Sequence, residues 1–201
     1  MTKTDAILVP LAEGFEEIEA VTIIDVLRRA GLNVTVVGLE PGLVRGSHGL
    51  SLATDCTWEE LDLDRVMALV LPGGMPGTTN LMGDARVLEL VRKLHGQGQP
   101  VAAICAAPLV LAAAGVLGAG QVTAHPGVQE RLARMLARGP SGDAPGPTQV
   151  VESPRVVRQG TLLTSQGVGT ALEFSLALVA DLVGPEMATR LARAMVVAAP
   201  D

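Results

Sequence analysis

Aromatic residues are almost missing from this sequence. Its 201 residues include one tryptophan, two phenylalanines and no tyrosine, at Trp58, Phe15 and Phe174. A hydrophobic core must therefore consist mainly of Leu, Val, Ile, Ala and Met side chains. Modules that bind single-stranded nucleic acid stack the bases on aromatic rings, so the sequence is a poor match to that class of protein.

An excess of positive charge is missing as well. The formal net charge is −6, whereas sequence-independent binding to phosphates requires a basic face, so we expect no strong binding to DNA or RNA. Hydrophobic residues make up 48% of the chain and charged residues 18%, a balance that favours a packed core over disorder. The length is within reach of one core, which predicts a single domain over residues 1–201.

Cysteine is scarce, and the spacings that build metal or nucleotide sites are absent. The chain has two cysteines, Cys56 and Cys105, and no run of Cys, His, Asp or Glu with zinc-ligand spacing. It also has no Walker loop and no glycine fingerprint of a dinucleotide-binding domain. We therefore expect no metal, no cofactor and two free thiols.

The sequence shows no recognisable targeting or membrane segment. The first apolar run, Ala6–Pro10, is short and is soon followed by Glu13, unlike the core of a signal peptide. The segment from Pro100 to Gly120 has no charged residue, but Pro108 and its many small residues make it unlike a transmembrane helix. We expect a cytoplasmic protein that does not enter the membrane.

Short apolar, β-branched runs alternate with longer amphipathic ones. The alternation predicts an α/β fold with a flavodoxin-like, mainly parallel sheet that is wrapped by helices on both faces. Ligands of such sheets collect at the carboxyl ends of the strands. The predicted buried strands are Ala6–Pro10, Val34–Gly38, Val66–Leu71, Val101–Ile104 and Leu162–Ser165.

Helical spacing of apolar residues predicts helices over Glu16–Ala30, Ala85–Leu94 and Val128–Ala137. The run Gly139–Pro147 is too rich in Pro and Gly for a regular element. After it we expect a hairpin that turns at Ser153-Pro154. The residues expected to cover the sheet from the first helix are Ile18, Val21, Ile24 and Leu27, and the expected hairpin strands are Val150–Glu152 and Val156–Arg158.

Cys105 lies where a predicted strand meets a predicted helix. The segment from Ile104 to Pro108 leaves no spacer between the two elements, so the chain must turn sharply at the cysteine. Free N–H groups and the macrodipole at a helix N-terminus favour a thiolate. We therefore expect a lowered pKa for Cys105 and expect this residue to be the reactive centre, the alternative being an inert buried cysteine.

Other candidate residues belong to neighbouring strand ends. Gly73 and Gly74 follow a strand, and their backbone is able to direct N–H groups at an anion, the alternative being an ordinary turn. Glu19 lies among apolar residues of the first helix, where burial would raise its pKa and let its protonated carboxyl donate a hydrogen bond to the Cys105 thiolate. His125 follows a short strand-like run and is either structural or a proton carrier.

Five segments stand out together in this sequence. They are Gly14-Phe15-Glu16-Glu17-Ile18-Glu19, Leu71-Pro72-Gly73-Gly74, Ala102-Ala103-Ile104-Cys105-Ala106-Ala107-Pro108, His125-Pro126 and Thr164-Ser165-Gln166-Gly167. In this order they resemble the ThiJ/PfpI superfamily and, within it, the DJ-one branch, that of the parkinsonism-associated deglycase and its bacterial homologues. The resemblance covers nearly the whole chain.

The resemblance implies a role for each matching residue. Cys105 matches the reactive, readily oxidised cysteine of the family. Glu19 matches the buried, protonated glutamic acid that contacts this cysteine, and His125 matches the histidine near it. Gly74 and Ala106 match the positions whose backbone N–H groups bind an oxyanion or a cysteine sulfinate.

The resemblance also implies an activity. Relatives act as glutathione-independent glyoxalases that convert methylglyoxal to lactate without a cofactor, or as deglycases that remove early glyoxal adducts from proteins or nucleotides. Both activities need attack by a thiolate. The alternative is an oxidation-sensing stress-response protein or chaperone whose cysteine becomes a sulfinate. A PfpI-type cysteine protease fits the motifs least well.

The DJ-one branch forms homodimers through its first long helix and neighbouring loops. This resemblance would place Glu16, Glu17 and Arg28 near a partner chain. The chain departs from the branch at Ser47-His48-Gly49, where relatives often have a Ser-Arg pair near the active site, and in the loop Gly139–Pro147.

Overall fold

The computed structural model describes residues 5–138 and 148–197 of the chain. The predicted loop Gly139–Pro147 lies outside these residues. The strands are β1 (Ala6–Leu11), β2 (Val34–Gly38), β3 (Leu43–Arg45), β4 (Ser51–Ala53), β5 (Val66–Leu71), β6 (Val101–Ile104), β7 (Gly120–Val122), β8 (Thr148–Val150), β9 (Val156–Gln159) and β10 (Leu162–Ser165). The helices are α1 (Glu17–Arg29), α2 (Gly77–Gly83), α3 (Ala85–Gly96), α4 (Pro108–Ala114), α5 (Pro126–Arg138), α6 (Ala171–Val183) and α7 (Pro185–Ala194).

A six-stranded sheet forms the centre of the fold. Its strand order is β2-β1-β5-β6-β10-β9, and every pair is parallel except β9 with β10. The predicted α/β fold with a flavodoxin-like, mainly parallel sheet is confirmed. Four of the five predicted strands have the expected bounds, and β1 extends one residue further.

The two faces of the sheet carry separate hydrophobic clusters. Helices α2 to α5 cover one face with buried side chains that include Leu81, Leu90, Leu109 and Leu132. Helices α1, α6 and α7 cover the other face with side chains that include Ile23, Phe174 and Leu191. Strands buried on both sides explain why their sequences are continuous apolar runs rather than alternating ones.

The predicted apolar face of the first helix is wrong for two of its members. Ile18 is 56% exposed and Val21 is 45% exposed, although Leu27 is fully buried. The face of α1 that packs on the sheet contains Ala20, Ile23, Val26 and Leu27. This rotation of the helix also buries Glu19 completely.

The predicted hairpin is also wrong. Strand β8 pairs in parallel with β7, in a small sheet separate from the central one. Strand β9 pairs instead with β10, as the antiparallel edge of the central sheet. The chain between the two strands therefore passes from one sheet to the other. Strand β8 finds its hydrogen bonds with β7, a distant segment, whereas β9 forms an antiparallel hairpin with β10, the strand that directly follows it.

Trp58 fixes the segment that leads into β5. Its indole is 7% exposed and packs within the cluster on the α2 to α5 face. The guanidinium of Arg86 lies 5.2 Å from the centroid of the indole, a cation–π arrangement. Among the described residues, none of the helices is both long and apolar enough to cross a bilayer.

Candidate functional site

Cys105 occupies a strained turn between β6 and α4. Its backbone has φ +65°, in the left-handed region that residues other than glycine rarely adopt. Two hydrogen bonds hold the turn: the N–H of Cys105 donates to the carbonyl of Ser165 at 3.0 Å, and the N–H of His125 donates to the carbonyl of Cys105 at 2.8 Å. The surrounding strands therefore dictate the position of the thiol, as expected for a nucleophile elbow.

Glu19 enters the site from the beginning of α1. It is fully buried, and its Oε2 accepts a hydrogen bond from the N–H of Gly73 at 2.8 Å. Its Oε1 is buried and has no hydrogen-bond partner among the described residues. Burial raises the pKa of Glu19 to about 7, against the opposing effect of the hydrogen bonds from Gly73 and from the Cys105 thiol. The predicted burial and raised pKa are confirmed.

The pKa predicted for Cys105 is wrong in direction. Burial, together with the charge of Glu19, raises the pKa of this thiol to about 12. The N–H groups of Gly74 and Ala106 act in the opposite direction, but they do not outweigh these effects. Helix α4 begins only at Pro108, so its first turn does not enclose the sulfur. The thiolate is therefore favoured only when the Glu19 carboxyl holds a proton.

The glycines after β5 are required by close contacts. A Cβ atom on Gly73 would lie 2.5 Å from the Cβ of Cys105 and 2.9 Å from Oε2 of Glu19. Gly74 has φ +93°, and a Cβ atom there would lie 2.4 Å from the backbone nitrogen of Glu16. The absence of side chains lets this strand end lie against the elbow, so that the N–H of Gly74 faces the sulfur.

His125 lies on the solvent side of the site. Its side chain is exposed, and its Nδ1 accepts a hydrogen bond from the N–H of Gly127 at 3.1 Å. In the neutral ring this bond places the proton on Nε2. The structure thus brings Cys105, Glu19, Gly73, Gly74, Ala106 and His125 together at the carboxyl ends of β1, β5 and β6.

Gly167 is a site residue to which the sequence analysis gave no role. It follows β10, and a Cβ atom on it would lie 3.4 Å from Cδ2 of His125, 3.8 Å from Oε1 of Glu19 and 3.9 Å from Sγ of Cys105. Its position directly after a predicted parallel strand was the available signal, because ligands collect at that edge of the sheet.

Glu16, Glu17 and His48 form a second polar cluster near the site. The Nδ1 of His48 lies 3.1 Å from Oε2 of Glu17 and 3.5 Å from Oε2 of Glu16. The N–H groups of His48 and Leu50 donate to Oε1 of Glu17. Although burial opposes it, this set of hydrogen bonds lowers the pKa of Glu17 to about 2. Hydrogen bonding to Glu17 raises the pKa of His48.

This cluster is the one group of side chains in the described ranges that could hold a metal ion. Glu16, Glu17 and His48 each offer one ligand atom, and these atoms lie within 4.8 Å of one another. The carboxylates already accept hydrogen bonds from the loop after β3, so the cluster has a structural explanation without an ion. The expectation that the protein uses no metal stays a prediction.

Cys56 lies apart from this site. It forms an isolated parallel bridge with Val37, just before a short helical turn at Trp58–Glu60. Burial raises the pKa of its thiol. Both cysteines are free thiols.

The family model described as the DJ-1/PfpI family matches residues 5–181 of the chain. Drosophila melanogaster protein dj-1beta is 37% identical over 193 residues, covering 95% of this chain and 96% of its own length. The Parkinson disease protein 7 homolog of Danio rerio is 37% identical over 188 residues, covering 92% of this chain and 93% of its own length. A protein of Pyrococcus abyssi that is named a deglycase is 34% identical over 127 residues, covering 63% of this chain and 75% of its own length.

Solved structures show the same similarity. The crystal structure of Drosophila melanogaster DJ-1beta superimposes with a TM-score of 0.87 at 35% identity, covering 98% of this chain and 100% of that one. A structure described as oxidized Toxoplasma gondii DJ-1 has a TM-score of 0.83 at 33% identity, with coverage of 98% and 100%. The similarity extends across the sheet and both helical layers.

Proposed function

Because this chain belongs to the DJ-1/PfpI family, we propose that it is a cysteine-dependent enzyme that works without a cofactor on reactive dicarbonyls or on their adducts with proteins or nucleotides. The reactions are the conversion of methylglyoxal to lactate without glutathione and the removal of early glyoxal adducts. The observation that carries this proposal is the strained Cys105 elbow, where a buried carboxyl with a raised pKa faces the thiol.

The first step uses the paired acids of the site. Glu19 accepts the thiol proton of Cys105, and the resulting thiolate attacks the aldehyde carbon of methylglyoxal, so that an S–C bond forms and the carbonyl electrons move to oxygen. The N–H groups of Gly74 and Ala106 stabilise the negative charge, and Glu19 returns the proton to give a neutral hemithioacetal. The raised pKa of Glu19, about 7, suits a group that accepts and returns a proton at neutral pH.

The second step moves a proton between two carbons. Glu19, a carboxylate again after the first step, removes the hydrogen from the carbon bonded to sulfur, and the Nε2–H of His125 donates a hydrogen bond to the neighbouring oxygen as an enediolate forms. The hydroxyl proton on the carbon bonded to sulfur moves to that oxygen, and Glu19 returns its proton to the neighbouring carbon. The product is a lactoyl thioester on Cys105. Water then cleaves its S–C bond, which releases lactate and restores the thiol. The balance is methylglyoxal plus water to lactate, with no net oxidation and no other reactant.

Deglycation would use the same attack on a different leaving group. The Cys105 thiolate would form an S–C bond to the glyoxal-derived carbon of a hemiaminal or hemithioacetal adduct, as the C–N or C–S bond to the amine, nucleotide or thiol breaks and Glu19 gives the leaving group its proton. One relative of this chain carries the name deglycase, at 34% identity over 127 residues. This name supports the substrate class and does not by itself choose between the two reactions.

The test is lactate formation from methylglyoxal in the absence of glutathione. We expect lactate from the wild type and from Cys56→Ser, which removes the cysteine outside the site, and none from Cys105→Ser. A parallel reaction with a glyoxal-modified N-acetylarginine, at matched free glyoxal, separates deglycation from scavenging. If the wild type changes neither substrate, the enzyme proposal is wrong.

The oxidation-sensor alternative is favoured by a different observation. Oε1 of Glu19 is buried beside the sulfur and lacks a partner among the described residues, so a protonated Glu19 has a hydrogen bond to donate to a cysteine sulfinate. The similar Toxoplasma gondii structure is described as oxidized. Sulfinate formation on Cys105 at low peroxide, measured by intact mass, without turnover of either substrate would favour this function.

We also propose that the protein is a cytoplasmic homodimer in which residues 1–201 form one domain. The exposed apolar side chains on α1, Ile18 and Val21, support a partner on this helix. The same helix contains Glu17 and Arg28, and Glu16 directly precedes it. The family resemblance places these three residues near a partner chain.

A further inference from the structure

The segment after β10 is held rigidly beside the reactive thiol. The N–H of Gly167 donates to Oγ1 of Thr170 at 3.1 Å, and the N–H of Thr170 donates to the carbonyl of Gly167 at 2.8 Å. Oγ1 of Thr170 also lies 2.7 Å from Oγ of Ser165, which is fully buried. These bonds fix the backbone of Gly167, so its distance from the sulfur is a defined feature of the site.

Most directions around the sulfur of Cys105 are closed. Gly73 lies against the Cβ of Cys105, and the buried carboxyl of Glu19 occupies a second side. The N–H groups of Gly74 and Ala106 face the sulfur from a third. A reagent from solvent must therefore approach from the side where the exposed residues lie.

That remaining side lies between Gly167 and the ring of His125. His125 is exposed, and Val168, next to Gly167, is 41% exposed, so this side is in contact with solvent. A Cβ atom on Gly167 would lie 3.4 Å from Cδ2 of the imidazole and 3.9 Å from Sγ of Cys105. A single methyl group on Gly167 would thus contact both the imidazole ring and the sulfur.

We propose that the Gly167 backbone and the His125 ring form a steric gate that admits only small, unbranched electrophiles to the sulfur of Cys105. As a statement about substrates, this inference rests on the proposed function and narrows it to dicarbonyls with small substituents. As a statement about access to the sulfur, it does not depend on turnover. Rates of thiol modification test the statement about access, and turnover tests the statement about substrates.

The Gly167→Ala variant narrows the gate, and because Gly167 has φ +157°, which residues with a Cβ rarely adopt, some backbone strain accompanies the new methyl. Two of the three contacts that the new methyl would make, at 3.8 and 3.9 Å, are ordinary van der Waals distances, and the third is with an exposed ring that has room to shift. The matched control is Gly169→Ala, two residues later, where a Cβ atom would meet nothing within 4 Å. The His125→Ala variant widens the gate from the opposite side.

The measurement is the rate of Cys105 modification by hydrogen peroxide, iodoacetamide and N-ethylmaleimide, in a Cys56→Ser background. We expect Gly167→Ala to slow N-ethylmaleimide by about tenfold or more relative to peroxide, because the new methyl obstructs the bulkier reagent; tenfold corresponds to about 1.4 kcal/mol of activation free energy. Gly169→Ala should keep the wild-type ratio, and His125→Ala should raise the N-ethylmaleimide rate relative to peroxide. Ratios cancel any change in thiol ionisation that the substitutions cause.

An equal slowing of all three reagents in Gly167→Ala, or an unchanged ratio in His125→Ala, would overturn the gate. Thermal unfolding of each variant identifies a general loss of structure, and the His125→Ala ratio decides the matter if Gly167→Ala does not fold. Turnover of methylglyoxal against phenylglyoxal then tests the substrate statement. Absence of turnover in the wild type would refute the proposed enzyme and leave the result for access to the sulfur intact.

Discussion

Cys105 and Glu19 form a buried pair that accommodates one negative charge at a time. Burial raises the pKa of both groups, and the charge of each disfavours ionisation of the other. The proton that leaves the thiol therefore goes to the carboxyl rather than to solvent. The reactive form of the site is a thiolate beside a neutral acid, and its population depends on both residues.

Replacement of Glu19 by Gln is expected to remove a pH-dependent part of the stability. Burial raises the pKa of Glu19 from 4.5 to about 7, so the folded state keeps a proton that the unfolded state loses between these values. The stabilisation is complete below the unfolded pKa and is lost as the pH rises through about 7. From about pH 5 to about pH 8, the free energy of unfolding of the wild type should fall by on the order of 2–3 kcal/mol relative to Glu19→Gln.

Urea unfolding at several pH values measures this difference. The control is Glu89→Gln, which replaces an exposed carboxylate on α3. Its stability difference from the wild type should vary little over the same range. The explanation for Glu19 fails if the difference between wild type and Glu19→Gln is constant with pH.

Individual residues of the site were predictable as far as chain order allowed. A cysteine directly after a buried strand and a glutamate inside an apolar pattern indicated Cys105 and Glu19. The pKa of Cys105 was predicted in the wrong direction because the helix-terminus argument considers only the residues next in sequence. Burial and the carboxyl of Glu19, a residue 86 positions earlier in the chain, have the larger effect on this pKa.

At the scale of elements, Glu17 fastens the loop between β3 and β4 to the start of α1. Glu17 is 3% exposed, and its carboxylate accepts hydrogen bonds from the N–H groups of His48 and Leu50. A Cβ atom on Gly46 would lie 2.4 Å from this carboxylate, so a glycine is needed for the loop to approach it. The position of this loop is therefore set by the start of α1.

Removal of this acceptor is expected to release the loop. In Glu17→Ala, two backbone N–H groups lose their partner, at a cost of about 1–3 kcal/mol each if they stay buried. We expect faster amide hydrogen exchange at His48 and Leu50 and a lower melting temperature. The matched control is Glu16→Ala, since Glu16 contacts the side chains of Ser47 and His48 rather than their backbone N–H groups. Equal exchange at both amides in the two variants would contradict the fastening role.

The central strands were predictable as elements, and the outer ones were not. Strands β2, β5, β6 and β10 are buried runs whose sequence alone separates them from helices. Strands β8 and β9 are three and four residues long, and runs this short carry little pattern from which to predict a partner. Strand β8 pairs with the distant β7, and β9 pairs with β10, which follows it directly. The exposed side of α1 was misassigned because its apolar residues occur on both faces of the helix.

At the scale of the whole molecule, the strand order assembles the site. The order β2-β1-β5-β6-β10 places the carboxyl ends of β1, β5, β6 and β10 side by side. Glu19, Gly73, Cys105 and Gly167 follow these four strands and therefore meet, although they are far apart in sequence. This convergence follows from the topology, which the alternation of strands and helices predicted.

The apolar residues exposed on α1 predict an effect on assembly. Val21→Glu places a charge on a helix face that is 45% exposed at this position. We expect it to convert a dimer to a folded monomer in sedimentation velocity, with unchanged far-UV circular dichroism, because burial of an unpaired charge opposes association. The control is Val196→Glu, at a position that is 89% exposed and lies beyond α7. A wild type that sediments as a monomer at all concentrations would refute the dimer.

The packing of Trp58 under Arg86 gives the protein a built-in optical probe. Trp58 is the sole tryptophan of a chain without tyrosine, so its near-ultraviolet fluorescence comes from one place, in the cluster beneath α2 to α5. A shift of that emission reports loss of this hydrophobic layer and no other. Circular dichroism reports both layers, so any lag between the two signals during denaturation would show that the opposite faces of the sheet come apart separately.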